Sequence, residues 1–300
     1  MTKKLLNKGP VFIVLAAFLW GLDGILRRSL FSLPPSVIVF YEHFIGAILI
    51  LPFTLKALRK ETISRKTWGA LLWVALLSGL LGTLMFTSAL VKTNFISFSV
   101  VFLLQKLQPI FAITAAAIIL KEKISRSFIQ WAILAILAAY FVTFPEGKID
   151  FSTGQATVTA ALLAVGAAFA WGSSTAFSRF GLLRLSHTAM TGLRFLLTTP
   201  LAFIAVFLLG NQSQLSGLQP NQLSRLLIIA FSTGLVALWI YYRGLKHTQA
   251  KVSTILELAF PLTAVLIDVL LFKNVLAASQ YLAALVLMFA IYKVSALNRQ

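Results

Sequence analysis

Cysteine is absent from all 300 residues. Within this sequence that excludes disulfide bridges and thiolate metal sites, and it says nothing about compartment. Acidic residues are scarce. Eight Asp and Glu stand against 26 Lys and Arg, giving a formal charge of +18, and charged residues of both signs make up only 11% of the chain. Ordinary soluble domains carry about 25%. No GxxxxGK[ST] loop, HExxH or GxSxG pattern occurs. ATP hydrolysis, a zincin site and a serine-hydrolase elbow are thereby set aside. No polar stretch is long enough to form a separate cofactor-binding domain, so neither cofactor nor metal is expected.

What the chain has instead is apolar surface: 59% hydrophobic residues and a mean hydropathy of +0.91. A soluble fold cannot hide that much, so the class is a polytopic membrane protein. The apolar runs are twenty-odd residues long, which favours helices over a barrel, whose strands alternate over about 10 residues. Ten spans are expected, at 11–30, 36–56, 68–90, 96–120, 127–145, 157–177, 188–209, 225–244, 252–272 and 277–294. The leading "MTKKLLNKGP" imitates a signal peptide, but the run behind it exceeds the usual h-region of about 7–15 residues. It reads as a retained first span. The basic residues lie between apolar runs and form no basic face, so nucleic acid is not a partner. With the N-terminus inside, inner segments hold 18 Lys and Arg and outer segments hold 6. That bias predicts both termini in the cytoplasm.

The chain is written twice. "AAFLWG" from Ala16 returns as "AAFAWG" from Ala167, and "SGLLGTL" at Ser78 returns as "TGLVALW" at Thr233. "QKLQPIFAITAAAIILK" at Gln105 matches "ELAFPLTAVLIDVLLFK" at Glu257, which aligns Pro109 with Pro261. Residues 1–148 and 149–300 are thus two five-helix repeats. An odd number of spans inverts the second copy in the membrane, an architecture common among secondary transporters. The expected fold is an all-α membrane protein of ten transmembrane helices in two inverted five-helix repeats.

The Trp-Gly pair in each first helix, and the fourth-helix segments with a central proline followed by "ILKEKIS" or "LFKNVL", resemble the EamA-type branch of the drug/metabolite transporter superfamily. The resemblance covers nearly the whole chain. It implies a carrier of small metabolites whose central cavity is lined chiefly by helices 1, 3, 4, 6, 8 and 9. Helix 7 begins its polar segment with Arg194-Phe195, as such proteins often do in helix 2. Here helix 2 reads Tyr41-Glu42-His43-Phe44 instead.

Ionisable groups inside a span cost about 2.5–3.5 kcal/mol on insertion scales, so each is a functional candidate. They are Asp23, Glu42, His43, Lys106, Arg194, Glu257 and Asp268, with Arg27 and Arg28 near an edge. Trp20, Asp23, Gly24 and Arg27 share one helix face, and Asp23 pairs with Arg27 at i, i+4. The repeat sets Trp171, Ser174, Thr175 and Ser178 at the matching positions, without charge. Glu42 and Asp23 lie at similar depth from the outer side, so Arg27 or Arg28 can span them. Glu42 beside His43 is a candidate proton-coupling unit. Gln105 and Gln108 share a face near the membrane centre, and Pro109 frees the Gln105 carbonyl. Pro261 does the same for Glu257. Glu257 is expected to pair with Arg194 as an inner gate that mirrors an outer cluster of Glu42, His43 and Arg27, with Asp268 near the outer edge. Trp20 and Trp171 either pack helices or wall the cavity.

The reading is a secondary transporter, in the export direction, that moves a small polar metabolite such as an amino acid or amine across the cytoplasmic membrane by alternating access. The alternative is a passive channel-like facilitator. Partners are a small-molecule substrate, the lipid bilayer and protons, and the chain is a monomer or homodimer. Saturation and counter-flow distinguish carrier from channel.

Overall fold

The computed structural model describes residues 8–28, 30–92, 100–148, 157–270 and 277–298. Among them the secondary structure is helical throughout. With no water in a bilayer core, a spanning segment must satisfy its own backbone, and a helix does so. The elements are α1 (Gly9–Arg28), α2 (Pro35–Leu58), α3 (Arg65–Lys92), α4 over 100–119, α5 (Arg126–Thr143), α6 (Thr157–Leu182), α7 (His187–Leu208), α8 (Pro220–Leu245), α9 over 250–270 and α10 (Ala278–Leu297). Seven of them are long and apolar enough to cross a membrane, and Gly9–Asp23 and Gln108–Ile119 are shorter apolar helices.

The starts shift where polar capping outweighs hydropathy. Ser64 accepts from the Thr67 backbone N–H and begins α3 at Arg65, ahead of the expected residue 68. Pro220 at the first position of α8 begins that helix ahead of residue 225, because proline there loses no needed hydrogen bond.

Two helices are broken and two are widened. α4 consists of Val100–Gln105 and Gln108–Ile119, with Lys106 and Leu107 in the turn between them. α9 consists of Ala250–Leu256, a 3₁₀ turn at Glu257–Ala259 and Phe260–Leu270. Pro109 and Pro261 follow these breaks, and each lacks the N–H that would bridge back. α3 contains a π segment at Ala75–Gly82, and α8 contains one at Ala230–Val236.

α2 packs along α7, and α5 packs along α10. Between these pairs, α1 lies against α8 and α9, while α6 lies against α3 and α4. α10 shows how a face is chosen. It buries Ala283, Leu287, Ala290 and Val294 at spacings of three and four, and leaves Leu282, Leu285, Phe289 and Tyr292 exposed. The exposed apolar side is the surface that lipid covers. The start of α1 and the end of α10 both lie against the connection between α8 and α9. Gly9 lies against Gly244 and Thr248, and Asn298 Nδ2 donates to the His247 carbonyl at 3.2 Å.

Candidate functional site

The repeated Trp-Gly pair has a structural explanation. Trp20 Nε1 on α1 donates to the Thr233 carbonyl of α8 at 3.1 Å, and Trp171 Nε1 on α6 donates to the Ser78 carbonyl of α3 at 3.2 Å. Both carbonyls lie in the π segments. A π turn resets backbone pairing from i+4 to i+5, and a carbonyl has a second lone pair to offer. The glycines that follow allow close approach. A Cβ on Gly21 would lie 2.3 Å from Thr263 of α9, and one on Gly172 would lie 2.6 Å from the Gln108 carbonyl of α4. Each first helix is therefore seated on the third and fourth helices of the other half of the chain.

The charged face of α1 forms a closed cluster. Arg27 Nε meets Asp23 Oδ2 at 2.6 Å, and Arg27 Nη2 meets Glu42 Oε2 at 2.8 Å. Thr233 Oγ1 donates to Asp23 Oδ1 at 2.6 Å. Arg27 thus spans the two acids, with only 4% of its surface exposed. His43 turns away from this cluster. Its Nδ1 lies 2.9 Å from the Val39 carbonyl, which makes that nitrogen the donor, and its ring packs 5.3 Å from Phe195. No hydrogen bond joins Glu42 to His43, because consecutive residues of a helix point about 100° apart. The side chains of Arg28 and Asp268 lie outside the described residues.

A second cluster forms where α4 and α9 are broken. The Glu257 carboxylate accepts from Tyr241 Oη at 2.7 Å, from Gln108 Nε2 at 3.0 Å and from Ser253 Oγ at 3.2 Å. The Trp20 ring lies 5.0 Å from that of Tyr241. Lys106 Nζ, in the break of α4, sits 4.5 Å from the ring of Phe260, just past the break of α9. The expected Glu257–Arg194 pair is not formed. Arg194 Nη1 reaches Tyr242 Oη at 3.4 Å, and Tyr242 in turn meets Ser178 Oγ at 3.1 Å. Tyr241 bonds Glu257 and Tyr242 bonds Arg194 instead, so neighbouring tyrosines take the two groups separately. Arg194 lies within electrostatic range of His43 and Glu42 instead.

Several buried polar atoms have no hydrogen-bond partner among the described residues: Lys106 Nζ, Arg194 Nε, Arg27 Nη1, Gln105 Oε1 and Ser174 Oγ. Such atoms are rare in folded proteins and each carries a desolvation cost. Three of the five are cationic donors. Thr233, bonded to Asp23, is a cluster member that the sequence did not single out, although it aligns with Ser78 in the repeat.

Among the described residues, helices with apolar spans and a polar interior at broken helices define a multi-pass membrane protein. The sequence profile of the EamA-like transporter family matches it twice, over residues 7–144 and 158–296, so the chain belongs to that family. It is 38% identical to the riboflavin transporter ImpX of Fusobacterium nucleatum, over 97% of this chain and 98% of that one. It is 25% identical to the uncharacterised transporter YwfM of Bacillus subtilis over 98% and 96% of the two chains. With the pseudopaline exporter CntI of Pseudomonas aeruginosa it shares 27% identity over 59% of this chain and 58% of that one. A solved crystal structure, 17% identical, superposes with a TM-score of 0.76 over 97% of both chains and shares the fold. The chain is a transporter and not an enzyme.

Proposed function

We propose that this chain is a secondary transporter of the cytoplasmic membrane, with both ends cytoplasmic, that carries riboflavin or a closely related flavin by alternating access of two inverted halves, 1–148 and 149–300. The observation that carries the reading is the meeting of two broken helices, α4 and α9, around polar atoms left without partners. Trp20, Gln105, Gln108, Arg194 and Glu257 keep partial accessibility at mid-helix, which fits a hollow between the central helices. Discontinuous helices near the membrane centre are a recurrent way to build a transporter site.

The free groups favour a ligand rich in acceptors. Lys106, Arg194 and Arg27 offer donors, and Gln105 Oε1 offers one acceptor. The acids are already engaged: Asp23 and Glu42 by Arg27, and Glu257 by three neutral donors. Asp23 and Glu42 are neutralised by Arg27, and the unpartnered cationic donors Lys106 and Arg194 repel a cationic amine, so the amino-acid or amine substrate read from the sequence is the poorer fit. The isoalloxazine ring of a flavin presents two carbonyls and ring nitrogens as acceptors and one imide N–H as donor. Its flat face suits the Trp20 and Tyr241 rings. The relative named as a riboflavin transporter supports the same class.

Purified protein in liposomes, assayed with radiolabelled riboflavin in both directions, tests the reading. Saturable flux with counter-flow is expected. Glu257→Gln should lower that flux about tenfold, equivalent to about 1.4 kcal/mol of lost site stabilisation, and a pH gradient across the liposome tests proton coupling. Flux that neither saturates nor shows counter-flow would point to a channel. Lysine or putrescine transport without flavin transport would restore the amine reading.

A further inference from the structure

The inner gate expected at Arg194 and Glu257 is not formed, yet on the face near Gly9 and Asn298 other groups bond the two halves together. Two glutamates in the connections of the first half rest on the starts of helices in the second half. Glu61 Oε2 accepts from the Ser186 backbone N–H at 3.0 Å, just before α7. Glu122 accepts twice, from the Ala250 N–H at 2.8 Å and the Lys251 N–H at 3.0 Å, the first two donors of α9. These N–H groups have no partner within the helix, and the helix dipole favours a carboxylate at that end.

Glu122 is aimed by strained backbone. α4 closes with the Leu120 and Glu122 N–H groups both donating to the Ala116 carbonyl, around Lys121 at φ +53°. That left-handed position is usually glycine at a helix end, yet the sequence places a lysine there. The segment entering α9 is clamped on its other side by Asn298, whose Oδ1 accepts from the Gln249 N–H at 2.8 Å. Lys251 Nζ adds a bond to the Lys123 carbonyl. The piece of α9 fixed in this way, Ala250–Leu256, packs against the second piece of α4 and ends at Glu257.

We infer that Glu122 is the latch of this face: its carboxylate holds the first turn of α9 against α4, positions Ser253 and Glu257, and releases the turn each time this face opens. The inference rests on alternating access as proposed above, but not on the identity of the substrate.

The absence of native cysteine makes the test clean, because one introduced cysteine is the only thiol. Ser253→Cys, next to Glu257 on the latched piece, reports opening through its labelling rate with a water-soluble maleimide in detergent. Leu30→Cys, buried at another site, reports general loosening. Glu122→Ala in the Ser253→Cys background should speed labelling at least about fivefold, the lower end of typical conformational couplings. Glu122→Gln, with one acceptor oxygen left, should fall between it and the parent. Labelling at Leu30→Cys should not change. Lys121→Gly keeps the carboxylate and removes the strain, so it should leave Ser253→Cys labelling at or below the parent rate. If Ser253→Cys labels at the parent rate in folded Glu122→Ala and Glu122→Gln, the latch is refuted. Faster labelling at both reporters refutes it too, because it shows global loosening. No flavin is present in this assay, so a working latch in a protein that fails to carry riboflavin would count against the substrate alone.

Discussion

α1 and α6 use the same Trp-Gly pair in the same way and differ in what lies one turn further on. Each indole N–H is bonded to a π-segment carbonyl of the other half, and each glycine lets a fourth helix approach. Beyond that, α1 carries Asp23 and Arg27 tied to Glu42, while α6 carries Ser174 and Ser178, the latter bonded to the neutral Tyr242 hydroxyl. The duplicated residues solve a packing problem that both halves share. The charges belong to one half and balance one another there, while the other half sets hydroxyls at the matching positions, so they answer to a need that the two halves do not share.

The sharpest way to break this comparison is to remove the cation. Arg27→Met leaves Asp23 and Glu42 facing each other in a buried site and should cost about 3–5 kcal/mol. Ser178→Ala at the matching position should cost about 0.5–1.5 kcal/mol. Thermal unfolding of both variants in one detergent checks the gap, and equal losses would show that the charged cluster weighs no more than the hydroxyl pair. Thr233→Val comes next. It removes the hydroxyl bond to Asp23 and should cost about 1.5–3 kcal/mol, because the acceptor is charged.

The two glycines should then weigh alike. Gly172→Ala sets a Cβ against the Gln108 backbone carbonyl, which cannot yield without moving α4, and should cost about 1–3 kcal/mol. Gly21→Ala sets a Cβ 2.3 Å from Thr263 Cβ, an atom that side-chain rotation does not move, so it should cost about 1–3 kcal/mol as well in the same unfolding series. Smallest are Trp20→Phe and Trp171→Phe, which delete one bond to a carbonyl each and should cost about 1 kcal/mol apiece. They differ in function rather than stability. Trp20 also packs, tilted, 5.0 Å from the Tyr241 ring that holds Glu257, so Trp20→Phe should lower flavin flux more than Trp171→Phe does.

Much of this was open to a reader of the sequence. Helices at all ten apolar runs, the family and the doubled scaffold follow from hydropathy and alignment. Asp23–Arg27 follows from i, i+4 spacing on one helix, where local geometry dictates contact. Bonds across helices were harder. Counting residues from a span end gave the depth of Glu42 well enough to place Arg27 between two acids. The same count put Glu257 near Arg194 and failed, because depth says nothing about angular position, and two tyrosines take the groups separately. The π segments left no trace in residue type. Nothing in "SGLLG" or "FSTGLV" distinguishes an i+5 turn from an i+4 one. The Glu122 contact was equally hidden, since a surface-loop glutamate looks solvated until the start of another helix arrives beside it.

The sequence by itself determined that this chain is a membrane protein, that it is helical, and that it is built twice. Lipid offers backbone groups no partners, so apolar runs of this length must become helices, and a repeated scaffold must serve a repeated contact. Only the tertiary structure decided which buried charges are neutralised and which donors stay free. That choice depends on how ten helices rotate and slide against one another, and the free energies that set those rotations come from contacts far apart in the chain.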